Sequence, residues 1–104
     1  MTKLEIKQSE EFSPLTFELI GRLDTTTAPE LEKQIRNIPD TVKELIFNMI
    51  NLEYISSAGL RILLTVHKLM AGRSGTFLIM NPNESVREVL DITGFTGLLN
   101  IKGE

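Results

Sequence analysis

Two short apolar runs constrain this chain more than anything else in it. One is Leu45–Phe47, inside the segment KELIFNM (Lys43–Met49); the other is TFLIM, Thr76–Met80. The first reads as a central strand buried on both faces, and the second as a further continuous apolar strand. Between them Leu60, Ile62, Leu63, Leu64, Val66, Leu69 and Met70 surround one narrow polar stripe, Arg61, Thr65 and Lys68, spaced i, i+4, i+7. That pattern predicts a mostly buried helix ending near Leu69–Ala71, and the Gly-rich AGRSG (Ala71–Gly75) fits its exit. A strand–helix–strand crossover is right-handed in nearly every sheet, so these strands run parallel.

The flanking segments extend the same alternation. Lys3–Gln8 (KLEIKQ) places Leu4 and Ile6 between charged residues and reads as a half-exposed edge strand. Ser9–Pro14 is a polar turn. In Leu15–Leu23, residues Leu15, Phe17, Leu19, Gly21 and Leu23 fall on one side and Thr16, Glu18 and Arg22 on the other, so the first two strands form an antiparallel pair. Asp24–Thr27 ends the second strand. Thr27 and Glu30 have capping-box spacing, Pro29 fits a first helical turn, and Ala28, Leu31, Ile35 and Ile38 recur at helical spacing until Pro39 and Asp40. After TFLIM comes the turn NPN, with Asn83 as N-cap; Val86, Val89 and Leu90 make a helical face, Gly94 and Phe95 close it, and Leu98–Ile101 is a last short strand. Residues 1–104 thus read as a single small α/β domain. Its sheet is mixed, mostly parallel and of about five strands, with three main helices.

Several function classes fall away on composition. The chain has no cysteine and one histidine, which excludes a disulfide framework and makes no zinc site. Its net charge of −3 is spread over interspersed acids and bases, without the basic face of a nucleic-acid binder. No apolar run approaches the ~20 residues of a membrane span. The segment MTKLEIKQSEEF lacks a signal peptide's apolar core, so the expected location is cytoplasmic. A serine nucleophile needs a base, and His67 lies ten residues beyond Ser57, roughly 15 Å along a helix. There is no Gly-x-Ser-x-Gly elbow, Walker loop or Gly-x-Gly-x-x-Gly, and no carboxylate pair stands out. The expectation is a protein that is not an enzyme and that holds no cofactor or metal.

The stretch with functional content is EYISSAGLRILL, Glu53–Leu64. Tyr54 and Ile55 form a bulky approach. Ser56 and Ser57 follow, one of them an N-cap. Ala58 is a good helix former, and Gly59 lets another surface come close to the first turn. A helix N-terminus carries partial positive charge, so a phosphate is electrostatically welcome there. Ser57 lies just beyond the carboxyl end of a central parallel strand, Asp24 ends another strand on the same edge, and open α/β sheets place their sites along that edge. Arg61 stands in the first turn, able to pair with a phosphate or with an acid on a partner.

The two segments NMINLEYISSAGL (48–60) and GRLDTTTAPELE (21–32) resemble the signature of the STAS domain, the sulfate-transporter and anti-sigma-factor-antagonist family. In that resemblance Asn48 matches a polar residue at a strand end, Asp24 matches the Asp of a Gly-x-Leu/Ile-Asp stretch, and Ser57 matches the serine that a partner kinase phosphorylates. Ser56 stands where many such proteins carry Asp and is the fallback site. The resemblance implies an anti-sigma factor antagonist that works in bacterial transcription control by partner switching. Unmodified, it binds an anti-sigma factor that is also a serine kinase; phosphorylated, it lets go; a phosphatase resets it. The implied partner surface comprises Asp24, Thr25, Thr26, Ser56, Ser57, Ala58, Gly59 and Arg61. The alternative is a non-phosphorylated STAS scaffold or transporter-regulatory subunit using the same helix; a third class is a ligand carrier with a closed pocket near Asp24 and Ser57. Members of the family commonly continue into a further helix, whereas this sequence ends at Glu104. The far sheet edge is therefore expected to be less covered or paired, and the chain to be a monomer or weak dimer.

Overall fold

The computed structural model describes residues 3–11 and 14–103. Part of the turn expected over Ser9–Pro14 lies outside the described residues. The elements run β1 (Leu4–Gln8), β2 (Leu15–Leu23), α1 (Ala28–Arg36), β3 (Glu44–Ile55), α2 (Ser57–Gly72), β4 (Thr76–Met80), α3 (Glu84–Ile92), a 3-10 turn (Phe95–Gly97) and β5 (Asn100–Lys102). They build one five-stranded sheet in the order β1-β2-β3-β4-β5. β1 is antiparallel to β2 and every later pair is parallel.

The alternation in β2 decides which face is covered. Leu15, Phe17, Leu19, Gly21 and Leu23 are all buried, while the residues between them are only half-buried. The buried row joins Leu31 and Ile35 of α1, Leu63, Val66 and Met70 of α2, and Val86 and Leu90 of α3 in one hydrophobic core. Each such aliphatic side chain stabilises the fold by roughly 1.5–3 kcal/mol. Across the middle strands, the Phe17 and Phe47 rings stack with centroids 5.6 Å apart, and Phe47 meets Phe77 edge-on at 4.9 Å.

The expectation that β3 is buried on both faces is corrected. Ile46, like its neighbour Leu78 in β4, is only half-buried. Strand order follows chain order from β2 to β5. Right-handed crossovers that all step in one direction put their helices on one face, and here that is the side of the single core.

β3 also runs further than expected, to Ile55 rather than Met49. Its pairing with β2 contains two irregularities, at Glu18/Ile20 and Gly21/Arg22, where β3 carries an extra residue each time. The buried positions accordingly change from every second residue (Leu45, Phe47, Met49) to every third (Leu52, Ile55). Bulges of this kind sharpen the local twist and re-aim side chains. Asn48 is therefore inside the strand rather than at its end. It marks instead the last β3–β4 pair, opposite Met80. Its Oδ1 accepts from the Ile50 N–H at 3.2 Å and from the Asn81 side-chain Nδ2 at 3.4 Å, just past the point where β4 stops.

Candidate functional site at the carboxyl edge of the sheet

The extra length of β3 delivers α2 to the carboxyl edge of the sheet. Leu23, the last residue of β2, pairs with Ile55, the last of β3. One residue on, the Ser56 N–H donates to the Leu23 carbonyl at 2.9 Å. Ser57 then begins α2, and the first intrahelical bond runs from the Leu60 N–H to the Ser56 carbonyl at 2.9 Å. The amides of Ser57, Ala58 and Gly59 precede that bond and point out of the helix start.

The two serines occupy different environments. Ser57 is exposed. Ser56 holds the N-cap position with extended backbone, but its side chain caps nothing. Its Oγ is buried without a hydrogen-bond partner. The expectation that one of the serines serves as a hydrogen-bonding cap is thus corrected: Ser56 supplies the backbone conformation of a cap, not the oxygen.

Gly59 faces inward. It is buried, and a Cβ there would lie 2.7 Å from Ile55 Cγ1 and 2.8 Å from Leu23 Cγ. The surface it allows close is the chain's own strand ends. Gly59 therefore seats α2 on the sheet, and its expected place among the surface contacts is withdrawn. Ala58 is half-buried and lies, with Thr25, Ala28, Pro29, Arg61 and Ile62, along a shallow groove of about 200 Å³ between the starts of α1 and α2. Arg61 is exposed and forms no ion pair among the described residues.

Asp24 follows β2 on the same edge, and its carboxylate is turned into its own loop. Oδ1 accepts from the Thr26 hydroxyl at 2.7 Å and from the N–H groups of Thr26 at 3.0 Å and Thr27 at 3.1 Å. In return the Thr27 Oγ1 accepts from the Asp24 N–H at 2.9 Å and donates to the Arg22 carbonyl at 2.8 Å. The expected Thr27–Glu30 capping box does not form, and Thr27 makes no side-chain cap to α1. The reciprocal pair lies one turn earlier, between Asp24 and Thr27. The Thr26 hydroxyl, above all, holds the Asp24 carboxyl below its ordinary value; partial burial opposes this and the two loop amides add to it. Thr25 and Thr26 are exposed beside it.

Sequence reasoning missed a neighbouring pair. Tyr54, read as part of an apolar approach, is 41% exposed. The Arg22 guanidinium lies 4.2 Å from its ring centroid and 3.8 Å from Asp24 Oδ2. The pairing of Arg22 with Tyr54 follows from the second β3 bulge, which simple alternation does not reveal. Among the described residues, no group of three or more His, Cys, Asp or Glu is arranged to hold a metal, and no helix is long and apolar enough to cross a membrane.

Comparison with known proteins gives a consistent assignment. The family model of the STAS domain matches residues 3–103. The chain is 30% identical over 84 residues to BtrV of Bordetella bronchiseptica, which carries the name of an anti-sigma factor antagonist; the match covers 80% of this chain and 72% of that one. Among solved structures, an anti-sigma factor antagonist from Mycobacterium paratuberculosis superposes with a TM-score of 0.86 at 21% identity, covering 96% of this chain and 86% of that one. The unphosphorylated anti-sigma factor antagonist SpoIIAA gives 0.77 at 20% identity, covering 97% and 87%. SpoIIAA has also been solved in a phosphorylated form.

Proposed function

Because this chain belongs to the STAS domain family, we propose that it is an anti-sigma factor antagonist acting in the cytoplasm through reversible phosphorylation of Ser57. In the unmodified state it binds an anti-sigma factor that is also a serine kinase, and the sigma factor is released. The kinase then joins Ser57 Oγ to the γ-phosphorus of ATP; ADP leaves and the hydroxyl proton passes to a base of the kinase. The antagonist detaches until a phosphatase hydrolyses the ester. It is the substrate of both enzymes and catalyses neither step.

The observation that carries the reading is the difference between the two serines: Ser57 is exposed at the start of α2, while the Ser56 Oγ is buried. A phosphate adds about −1.5 to −2 charge at neutral pH. Placed where a partner closes over the helix start, that charge must be desolvated, at a cost of several kcal/mol. Thr25, Thr26, Ala58 and Arg61 would border the same contact, and Asp24 would shape its loop from within. The relatives named as anti-sigma factor antagonists support this assignment, as does a fold shared with a protein solved in both phosphorylation states.

The test is incubation with purified anti-sigma factor kinases and ATP, followed by mass spectrometry and a binding assay. One kinase should bind the unmodified chain, phosphorylate Ser57 and release it. Binding without phosphate on either serine would favour a STAS scaffold instead.

A further inference from the structure

We propose that Arg61 is the internal counter-ion of phosphorylated Ser57, so that the modification withdraws a cation from the docking surface as well as adding an anion. This rests on the phosphorylation reading of Ser57 and says what the phosphate does once attached.

Ser57 and Arg61 are four residues apart on α2 and both are exposed. Residues at i and i+4 are neighbours on a helix surface, with Cβ atoms about 5–6 Å apart. Helical side chains lean toward the N-terminus, so the turn that holds Ser57 is within reach of Arg61, which in the unmodified chain lines the groove with Thr25, Glu32 and Ala58. A guanidinium fork matches two phosphate oxygens at once.

Arg61 is also uncommitted. Arg22, Arg36 and Arg73 each lie within 4.0 Å of an acid, on Asp24, Glu32 and Asp40 respectively, while Arg61, like Arg87 on α3, has no such partner among the described residues. Glu32 lines the groove beside Arg61, but Arg36 holds it at 3.4 Å. Asp24 is engaged by Thr26, Thr27 and Arg22. α2 itself contains no acid; its other charged or titratable residues are His67 and Lys68. In the unmodified chain Arg61 therefore stands at the groove rim, open to an acidic side chain of a partner. In the phosphorylated chain the same guanidinium folds back onto its own helix.

The experiment places phosphoserine at position 57 during translation, so that no kinase is required, and follows its second ionisation by phosphorus NMR between about pH 4 and 8. The helix start acts equally on wild type and Arg61→Gln, so their difference isolates Arg61. The wild type should ionise at a pH roughly 0.3 lower than Arg61→Gln. Arg61→Lys should retain part of that shift, and about 1 M salt should erase it. Equal midpoints in wild type and Arg61→Gln would overturn the proposal. So would a difference of the same size in concentrated urea, where no helix aligns the pair. Failure to find a kinase would not alter this measurement, and equal midpoints would leave the phosphorylation reading standing.

Discussion

Ser56 and Ser57 are adjacent in sequence and opposite in environment: the Ser56 Oγ is buried with no hydrogen-bond partner, and Ser57 is exposed at the first residue of α2. A buried hydroxyl left unpaired costs about 1–3 kcal/mol, so removing it relieves a penalty. Ser56→Ala is expected to leave stability unchanged or raise it by up to about 1 kcal/mol. Urea denaturation checks this. A loss of about 0.5–2 kcal/mol, the usual effect of deleting a working N-cap, would show that the Ser56 hydroxyl caps α2 in solution.

Ser57→Ala removes an exposed hydroxyl, and the expected stability change is within about ±0.5 kcal/mol. Phosphate transfer to the chain should vanish in this variant and persist in Ser56→Ala, as mass spectrometry would read directly. Phosphate on Ser56 in the wild type would move the site by one residue.

Ser57→Asp is expected to fold normally, because an acid in the first turn of a helix is favourable by about 0.3–1 kcal/mol. It should nevertheless weaken partner binding by placing charge where the interface closes. Aspartate carries one charge and lacks the phosphate's bulk, so the loss should be smaller than that caused by phosphorylation. Calorimetry with the unmodified, Asp and phosphorylated forms ranks the three; undiminished affinity in both charged forms would count against the switch.

Asp24 gives a pH-dependent prediction. Its carboxyl titrates below the ordinary value of 3.8 in the folded chain, chiefly because it accepts from the Thr26 hydroxyl. A depressed carboxyl contributes stability that is complete above the unfolded value and disappears as pH falls through the folded one. Asp24→Asn keeps an Oδ1 acceptor for the loop but cannot ionise. Its stability should therefore fall less steeply than that of the wild type on acidification below about pH 4. Urea midpoints measured at neutral and acid pH decide it, and parallel acid limbs would show that the carboxylate contributes nothing beyond its geometry.

Much of this was legible because the core repeats simply. Leu15 through Leu23 alternate without interruption, and the helices carry their apolar faces at regular spacing, so the element order and the neighbouring positions of Asp24 and Ser57 follow from pattern and handedness. What was not legible depends on bulges and on local competition for hydrogen bonds. Leu52 and Ile55 stay in the core only because β3 gains residues relative to β2, which turns a period of two into one of three and made a strand resemble a loop. The Arg22–Tyr54 contact was hidden by the same shift. Thr27 stands at the right spacing from Glu30, yet its hydroxyl is taken by the Asp24 N–H and the Arg22 carbonyl. Spacing identifies a candidate partner; it does not show which partner wins.

Gly59 separates a packing role from a binding one. Alanine has a helix propensity about 1 kcal/mol better than glycine, so an exposed Gly59 would be stabilised by Gly59→Ala. Here the new Cβ would meet Ile55 Cγ1 at 2.7 Å and Leu23 Cγ at 2.8 Å. Leu23 is 0% exposed and Ile55 3%, and the Ser56 N–H bond to the Leu23 carbonyl ties the two strand ends together, which limits how far either can yield. Overpacking of this kind costs about 1–3 kcal/mol, enough to cancel or exceed the helical gain. Gly59→Ala should therefore be neutral to destabilising, by up to about 2 kcal/mol. Gly59→Val adds more bulk with little gain in propensity and should lose more. In the folded part of the titration Gly59→Val should also be phosphorylated more slowly, because α2 must lift from the strand ends that position Ser57. Urea denaturation of both variants, with phosphorylation rates below the unfolding midpoint, tests this. Stabilisation by both substitutions would mean that α2 does not sit this closely on Leu23 and Ile55.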